Sequence, residues 1–487
     1  MDMAMIKRYQ KLNYVIYFTI IWTGCSFAEE TWFHPYVETG VLYTDDVYQS
    51  AENNKSSVVS SIEAGMYSQL IRNDASFIFN YDIEQLLYSH SSDENDTYQS
   101  LLLFADKKVA NTGLKVDATA TILNIAESND NNANANIISN NTVESKNAEI
   151  GLSFTTNPRK DIDLNVRGYG IITDNEDDIG NYKGYGTTLN FSNGLNQKQL
   201  FWESNALYDK KTDRQDDTVT ERSYFKGSLG FQTISKISPL VRMNYENYEG
   251  VSYQDTEETF SWGPGVRYFL TQNSFFELSY NFVEKGDISN FVGGRFKLEP
   301  SPRLLINFSY DKRYFGDAYD FTLIHRSRRT VNTISYTEAT NNFQREFYSS
   351  DEDIEVFTLN RRLEWLTELT GRRETYGFKL FYHEQEPLKG NSSRQDETGI
   401  GATLLSSYEL SRKLELSGEI SYSQYRFNRT VDQNQEDDYW YFVLSSSYKI
   451  YRNVFSTVKY VHDSRKSNIN SRDYDENRIS LDVRMEW

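Results

Sequence analysis

The feature that most constrains this chain is a strict alternation of apolar and polar residues, which recurs in segment after segment. In the last segment the apolar members are Ile479, Leu481, Val483, Met485 and Trp487. Polar residues fill the positions between them, and the same pattern runs through 114–122, 276–282, 304–311 and 414–423. Successive side chains of a β-strand point to opposite faces, so each segment predicts a strand with one apolar and one polar face.

Strands of this kind can build either a water-soluble sandwich or a membrane-spanning barrel. The candidates run about 10 to 15 residues, the length that crosses a bilayer at a tilt, whereas strands of soluble proteins average about 5 or 6. We place about 24 of them after residue 28, with roughly 20 to 26 as the range. Aromatic residues make up 15% of the chain and proline occurs only 7 times, which suits many strands with aromatic side chains at membrane interfaces.

The connections between the predicted strands alternate between two kinds. One kind is short, as at 72–74, and the other is mostly longer and rich in Asp, Glu, Asn and Ser, as at 45–56 and 127–145. Two members of the second kind, near 284–287 and 313–318, are short exceptions. Short turns alternating with long loops predict an all-β, closed antiparallel transmembrane barrel. An even number of strands would leave both termini on the periplasmic side.

The first residues have the order of a secretory signal peptide. A basic region within residues 7–11 precedes an apolar stretch at 14–25, and small residues before Glu29 predict cleavage between Ala28 and Glu29. The apolar stretch is too short to span a bilayer as a helix. The alternative is a lipoprotein cleavage box ending at Cys25, in which case that cysteine would be lipidated and kept. Under the signal-peptide interpretation the mature chain has no cysteine.

Charge and layout narrow the class of protein further. Residues 1–28 carry three cations and one anion, so their removal changes the net charge from −19 to −21. A polyanion of this kind is a poor candidate for binding nucleic acid. The first strand, near 36–44, begins soon after the predicted cleavage site and leaves no room for an N-terminal plug. Residues 29–487 are therefore predicted to form a single barrel domain.

A search for catalytic chemistry finds little. The five histidines are widely separated and show no metal-binding spacing, and neither a G-x-S-x-G elbow nor a phosphate loop occurs. Glu415 and Glu419 should share the lumen face, where an acid/base pair could be hidden. The alternative, a hydrated pore wall balanced by Arg167, Arg484 and Lys115, is favoured. The sequence therefore predicts no enzyme, no cofactor and no metal site.

Two polar loops leave alternatives open. Residues 174–178 are acidic and could hold Ca²⁺ or Mg²⁺, which prefer oxygen ligands, but they lack the spacing of a calcium loop. A solvated loop, bridged to lipopolysaccharide by cations, is the favoured interpretation. The Asn-rich stretch 129–141 predicts a flexible loop by its composition. Loops folded into the lumen could still narrow the pore.

Residues near the start carry a family resemblance. The opening 36–47, the strand ending at 63–66 and the segment 80–88 resemble the first strands of the outer-membrane proteins associated with the PEP-CTERM sorting system. In that family the first strand tends to end in a Tyr-Thr-Asp-Asn-like step, where this chain has Asp46. Ala64 stands where that family often has proline. The resemblance covers large barrels linked to exopolysaccharide loci and implies no catalytic residues.

Together these patterns predict a barrel in the outer membrane of a Gram-negative bacterium. The alternating final strand that ends at Trp487 resembles the signal that such barrels present to the barrel-assembly machinery. The leading hypothesis is a pore for exopolysaccharide export or envelope assembly, with lipid, lipopolysaccharide, exopolysaccharide and its export components as partners. The alternatives are a general diffusion porin for small solutes, a structural or adhesive barrel with acidic surface loops, and a barrel enzyme.

Overall fold

The computed structural model describes residues 33–487, with gaps inside that range. The gaps are residues 52–53, 111, 135, 158, 195–198, 216, 234–235, 251–256, 272, 344–356, 389–395 and 429–433. The predicted signal peptide, its cleavage site between Ala28 and Glu29, and Cys25 lie outside the described residues.

The described residues form 24 antiparallel strands in one sheet. Their bounds are β1 Phe33–Thr44, β2 Ser57–Ile71, β3 Ala75–Tyr88, β4 Asp96–Lys108, β5 Leu114–Ala126, β6 Thr142–Thr155, β7 Ile162–Asn175, β8 Tyr182–Asn193, β9 Leu200–Asp213, β10 Val219–Phe231, β11 Ile237–Glu249, β12 Glu257–Phe269, β13 Phe275–Lys285, β14 Phe291–Ser301, β15 Leu304–Arg313, β16 Gly316–Arg326, β17 Thr330–Asn341, β18 Thr358–Thr370, β19 Glu374–Pro387, β20 Asp396–Ser411, β21 Leu414–Asn428, β22 Gln435–Tyr451, β23 Val454–Ser467 and β24 Tyr474–Glu486.

Each strand pairs with the next along the chain, and the last strand pairs with the first. The closing register runs from Tyr36 opposite Glu486 to Thr44 opposite Arg478. Closure leaves no unpaired sheet edge, which is the condition for a sheet to cross a bilayer. The predicted all-β closed barrel of about 24 strands is thus confirmed.

Connections lie at two ends of the barrel, which we call the turn end and the loop end. The turn end carries the short connections, such as 72–74 and 327–329, and the end of β24. The loop end carries the mostly longer connections, such as 89–95 and 468–473. At the predicted short exceptions the loop-end connections are 286–290 and 314–315. The predicted alternation of turns and loops is confirmed.

The outward face of the barrel is apolar. On β24 the outward residues are Ile479, Leu481, Val483 and Met485, and they are exposed by 37 to 52%. Large aromatic side chains are exposed near both ends of the outer face. They are Trp262, Phe282 and Trp440 toward the loop end, and Phe231, Tyr268, Tyr376 and Tyr448 toward the turn end. An apolar belt between two aromatic girdles is the outer surface of an outer-membrane β-barrel.

Helical structure in the described residues is short. It comprises helix α1 (Asn129–Asn132) and 3₁₀ turns at Ser92–Glu94, Ile137–Ser139 and Asn470–Arg472. No helix in the described part of the chain is long and apolar enough to cross a membrane. Those residues also form no helical plug domain.

Candidate functional site

One side of the lumen is sealed by ion pairs between strands that are not neighbours. Arg295 on β14 donates to both carboxylate oxygens of Glu203 on β9, at 2.7 and 2.8 Å. Asp311 on β15 accepts from Lys226 on β10 at 2.6 Å and from Arg242 on β11 at 2.5 Å. These contacts require the wall from β9 to β15 to double back on itself. We call this region the sealed lobe.

Aromatic side chains close the turn end of the sealed lobe. The guanidinium of Arg267 lies 4.5 Å from the ring centre of Phe201 and 4.1 Å from that of Phe275. Its Nε donates to Glu277 at 2.7 Å. A planar cation between two rings, with a carboxylate at its edge, has little need of water, so this end of the lobe is filled by protein.

An apolar cluster closes the loop end of the same lobe. Its buried members are Tyr248, Tyr314, Phe357, Leu359 and Leu388. Next to it, Arg313 donates to Glu246 at 2.5 Å and to the hydroxyl of Tyr248 at 2.8 Å. The sealed lobe is therefore closed at its middle and at both ends.

The other side of the lumen is crossed by residues 127–134 and 136–141, which we call the lumen loop. It leaves β5, and its first half reaches the wall beyond the β24–β1 closure. The backbone oxygen of Asp130 accepts from Gln435 at 2.8 Å and also from Arg465 and Arg472. Arg465 donates in addition to the backbone oxygen of Asn131 and is buried against Asp437. A loop held by two arginines on the far wall is fixed across the lumen.

The second half of the lumen loop returns along the wall of β3 and β4. Ile137 and Ile138 pack against a buried apolar cluster that includes Leu86 and Tyr88. The Tyr88 hydroxyl donates to the backbone oxygen of Ile138 at 3.1 Å, and Tyr98 donates to Asn140 at 3.0 Å. The composition predicted a flexible loop here. The structure instead shows a loop that is bonded at both halves, because its polar groups find partners inside the barrel.

The connection between β1 and β2 joins the lumen loop to the wall. Asn132 donates to Gln49 at 2.9 Å, and Gln49 donates to Glu476 on β24 at 2.9 Å. Asp46 in the same connection is 1% exposed. Burial raises the pKa of Asp46 to about 6, and nearby Glu476 adds to this, although a backbone hydrogen bond from Ser50 opposes it.

A cavity of about 530 Å³ lies between the lumen loop and the barrel wall. It is bordered by the loop on one side and by β1–β3 and β21–β24 on the other. Its acidic lining residues are Glu38, Glu84, Glu419, Asp463 and Asp482. Its cationic lining residues are Lys459 and Arg478. We call this space and the wall from β19 through β24 to β3 the passage; its carboxylates outnumber its cations along the cavity.

Three carboxylates on the passage wall stand directly opposite one another. The strand register places Glu38 opposite Glu63 and Glu63 opposite Glu84. We call these the acidic row. Arg484 lies beside it, 3.9 Å from Glu38, and Tyr36 donates to Glu63 at 2.6 Å. Like charges on directly opposed strand positions destabilise a sheet, so the acidic row lowers the stability of the barrel. A functional role for these carboxylates would explain why they are present.

Several residues predicted from the sequence lie where expected. Glu415 and Glu419 lie on the lumen face of β21, whereas Leu416 and Ile420 are exposed on the outer face. Arg167 contacts Asp117 and Glu149 on the lumen face, as expected for a balancing cation. The final strand presents its apolar residues outward, and the backbone amide of Trp487 donates to the backbone oxygen of Pro35 at 3.0 Å.

Catalytic and metal constellations are scarce in the described residues. The histidines lie on separate elements: His34 on β1, His90 after β3, His325 on β16, His383 on β19 and His462 on β23. No group of three or more His, Cys, Asp or Glu side chains in the described part could hold a metal ion.

Sequence reasoning missed the features that shape the lumen. The alternation of apolar and polar residues placed the charged side chains of the strands on the inner face. It could not show which non-neighbouring strands have inner faces in contact. A weak signal was present in the lumen loop, where Ile137 and Ile138 interrupt a run of polar residues. An apolar pair inside a loop predicts burial, and a buried loop in a barrel has to lie in the lumen.

Solved barrels show a distant likeness to this chain. The FrpB iron transporter of Neisseria meningitidis is 9% identical, with a TM-score of 0.46 over 94% of this chain and 82% of that chain. OmpTdeltaL8, a loop-deletion mutant of an outer membrane protein of Vibrio cholerae, is 10% identical, with a TM-score of 0.33 over 94% of this chain and 99% of that chain. OccK5 of Pseudomonas aeruginosa is 11% identical, with a TM-score of 0.33 over 95% and 100%.

None of the curated proteins matches the sequence. A family model does match part of it. The model described as "Putative beta-barrel porin 2" matches residues 397–487. These residues form almost all of β20–β24, which include much of the passage wall. The final fifth of the barrel, residues 397–487, is thus similar to a family of porin-like β-barrels.

Proposed function

We propose that this outer-membrane barrel conducts small hydrophilic solutes through the passage and that the lumen loop sets the size limit. The observation that carries the proposal is the loop itself, fixed across the lumen beside a polar cavity. A barrel of this strand number has an interior wide enough for an aqueous channel, and the sealed lobe removes part of that width. What remains for solutes is the space between the loop and the acidic wall.

The proposal includes an orientation. The loop end would face the outside of the cell, and the turn end with both termini would face the periplasm. Short periplasmic turns and longer external loops are the common arrangement of such barrels. The acidic loops at the loop end would then meet lipopolysaccharide, bridged by divalent cations.

The charge of the passage suggests a preference for cations. Carboxylates outnumber basic side chains around the cavity, and the acidic row adds Glu63 to them. A narrow passage lined by one sign of charge concentrates ions of the opposite sign. We therefore expect a cation-to-anion permeability ratio above unity in dilute salt, falling as salt screens the wall.

Single-channel conductance in a planar bilayer tests the role of the lumen loop. Replacing residues 129–140 by a short Gly-Ser link should raise the conductance severalfold, because the obstruction is removed. The matched control replaces the exposed loop-end connection 286–290 by the same link and should leave conductance unchanged. Equal conductance in the wild type and the lumen-loop variant would contradict the size limit, and no current in either would contradict the proposed passage.

Exopolysaccharide export is a second candidate, supported by the resemblance to PEP-CTERM-associated barrels and by one observation. The passage wall on β20–β23 carries hydroxyl side chains in hydrogen-bonded pairs, such as Thr403 with Ser421 at 2.9 Å and Ser447 with Thr457 at 3.0 Å. Such a wall can exchange hydrogen bonds with a glycan chain. Deletion of the protein from its host should then reduce surface polysaccharide, whereas a general diffusion porin would leave it unchanged.

The final strand has a proposed role in assembly. Its outward residues, with Trp487 at the end, would be read by the barrel-assembly machinery before the ring closes. Trp487→Ala should lower the amount of folded barrel in the outer membrane, measured as the heat-modifiable band on a gel. Trp440→Ala, which changes an outward tryptophan away from the terminus, is the control and should have a smaller effect on that amount.

A further inference from the structure

A set of aromatic rings lies on the lumen face of β19, β21 and β22, at the loop end of the passage. Its members, which we call the aromatic track, are Phe381, His383, Tyr425 and Tyr439. Phe381 and His383 have parallel rings, at 8° to each other, with centres 5.9 Å apart. The ring of Tyr425 lies 5.8 Å from His383 and 5.8 Å from Tyr439. The rings therefore form a continuous surface rather than isolated contacts.

Two glycines on β20 make room for this surface. Gly399 stands opposite His383, and Gly401 stands opposite Phe381. A Cβ at Gly399 would lie 2.1 Å from the imidazole, and one at Gly401 would lie 2.4 Å from the phenyl ring. Both rings therefore occupy space on β20 that a larger residue at either glycine would fill. Glycine inside a strand often marks a place where a ligand or another group approaches closely.

Polar groups surround the rings. Glu397 is 2.9 Å from His383 and accepts from Asn129 of the lumen loop at 3.1 Å. Lys379 lies 5.6 Å above the ring of Phe381, on the turn-end side of the track. Phe381 and Tyr425 are half-buried, and the His383 side chain is 15% exposed. Tyr439 is 1% exposed and accepts a hydrogen bond from the backbone amide of Ala133 in the lumen loop. The half-buried part of the track thus lies beside the loop, at the entrance to the passage.

We propose that the aromatic track is a binding site for neutral glycans, whose sugar rings stack face to face on the aromatic rings. The proposal deepens the proposed function, on which it rests, by naming a substrate class. One face of a pyranose ring is apolar and presents C–H hydrogens, which are attracted to the negative face of an aromatic ring. Its hydroxyls point sideways, where the hydroxyl-bearing wall can bond them. Polyanionic glycans are disfavoured because carboxylates line this side of the lumen.

The test measures current through single channels of the full-length protein with maltohexaose added on the loop side. The expected result is a set of brief, concentration-dependent blockades. A polyethylene glycol of matched size and a hexamer of galacturonate should give fewer and shorter blockades. Blockades of equal duration with all three probes would mean that probe size alone determines the blockade, which would overturn the proposal.

Substitutions in the aromatic track test whether maltohexaose binds there. Phe381→Leu combined with Tyr425→Leu keeps apolar volume but removes the flat rings, and should weaken maltohexaose binding by about tenfold or more. Phe381→Tyr combined with Tyr425→Phe keeps the rings and should retain binding. The matched control is Phe455→Leu, which changes a ring on the same wall opposite Arg484, off the track. Unchanged blockades in the leucine pair would overturn the assignment of the site.

Calorimetric titration of the detergent-solubilised protein with maltohexaose separates the two proposals. Binding that is lost in the leucine pair, together with no channel current, would refute the proposed passage and keep the glycan site. Current without calorimetric binding would keep the passage and refute the site. The leucine pair counts as folded when its band shifts on heating as the wild-type band does.

Discussion

The sealed lobe and the passage are built from the same alternating strands, yet they treat charge in opposite ways. In the lobe, Asp311 is shared by Lys226 and Arg242, and all three lie between walls that touch. In the passage, the acidic row places Glu38, Glu63 and Glu84 side by side with few cations near them. Balanced charges allow two walls to meet without water, whereas an excess of one sign keeps water between them.

A barrel of many strands therefore need not have one wide pore. Ion pairs across the lobe and a loop across the remainder divide the interior into filled and open parts. The lobe ion pairs depend on each other, since removal of one partner leaves a buried charge without compensation. The passage carboxylates border a cavity, in whose lining Lys459 and Arg478 are the cations.

The largest expected effect on stability comes from breaking the ion pairs of the sealed lobe. Asp311→Asn leaves Lys226 and Arg242 without their shared anion, and we expect a loss of about 3–5 kcal/mol in the free energy of unfolding. Urea unfolding in lipid vesicles, followed by tryptophan fluorescence, measures it. The matched control is Asp482→Asn in the passage, for which we expect a loss below about 1 kcal/mol. Equal losses at the two sites would contradict the division of the lumen.

A smaller effect is expected from neutralising the acidic row. The triple variant Glu38→Gln, Glu63→Gln and Glu84→Gln should lower the cation-to-anion permeability ratio severalfold, measured as the reversal potential in a salt gradient. Its free energy of unfolding should rise slightly, by about 1 kcal/mol at most for each opposed pair. Glu258→Gln is the control, because that carboxylate pairs with exposed Lys285 at the loop end. A reduced ratio in this control would show that selectivity arises at the surface.

The smallest effect concerns pH at the rim of the passage. The pKa of Asp46 is raised from 3.8 to about 6, so the folded protein holds a proton there that the unfolded chain has released. Stability from this group is present at low pH and is lost as pH rises from 3.8 through about 6. We expect about 1 kcal/mol after solvent screening, seen as a lower melting temperature at pH 7 than at pH 4.5. Asp46→Asn should remove this part of the difference, and an unchanged difference would assign it to other groups.

Much of the fold was predictable from local pattern. The alternation around Ile420 and around Leu481 placed strands and their outward faces, and the spacing of turns predicted closure. The lumen positions of Glu415, Glu419 and Arg167 followed from the same rule. The candidate site was not predictable in this way. His383 and Tyr425 are distant in sequence, and only the register of β19–β21, in which both lie opposite Gly399, brings their side chains to one level.

The sequence by itself determined that the chain forms amphipathic strands in a closed barrel. Adjacent residues of a strand point to opposite faces, so the alternating pattern defines both faces, and a sheet in a membrane has to close on itself. The tertiary structure alone decided where the lumen is filled. Contacts such as Glu203 with Arg295 depend on how strongly the wall curves over several strands, and Arg465 meets Asn131 from more than three hundred residues away. No repeating pattern in the sequence encodes such pairs. They depend on the combined twist and register of several strands that are far apart in the sequence.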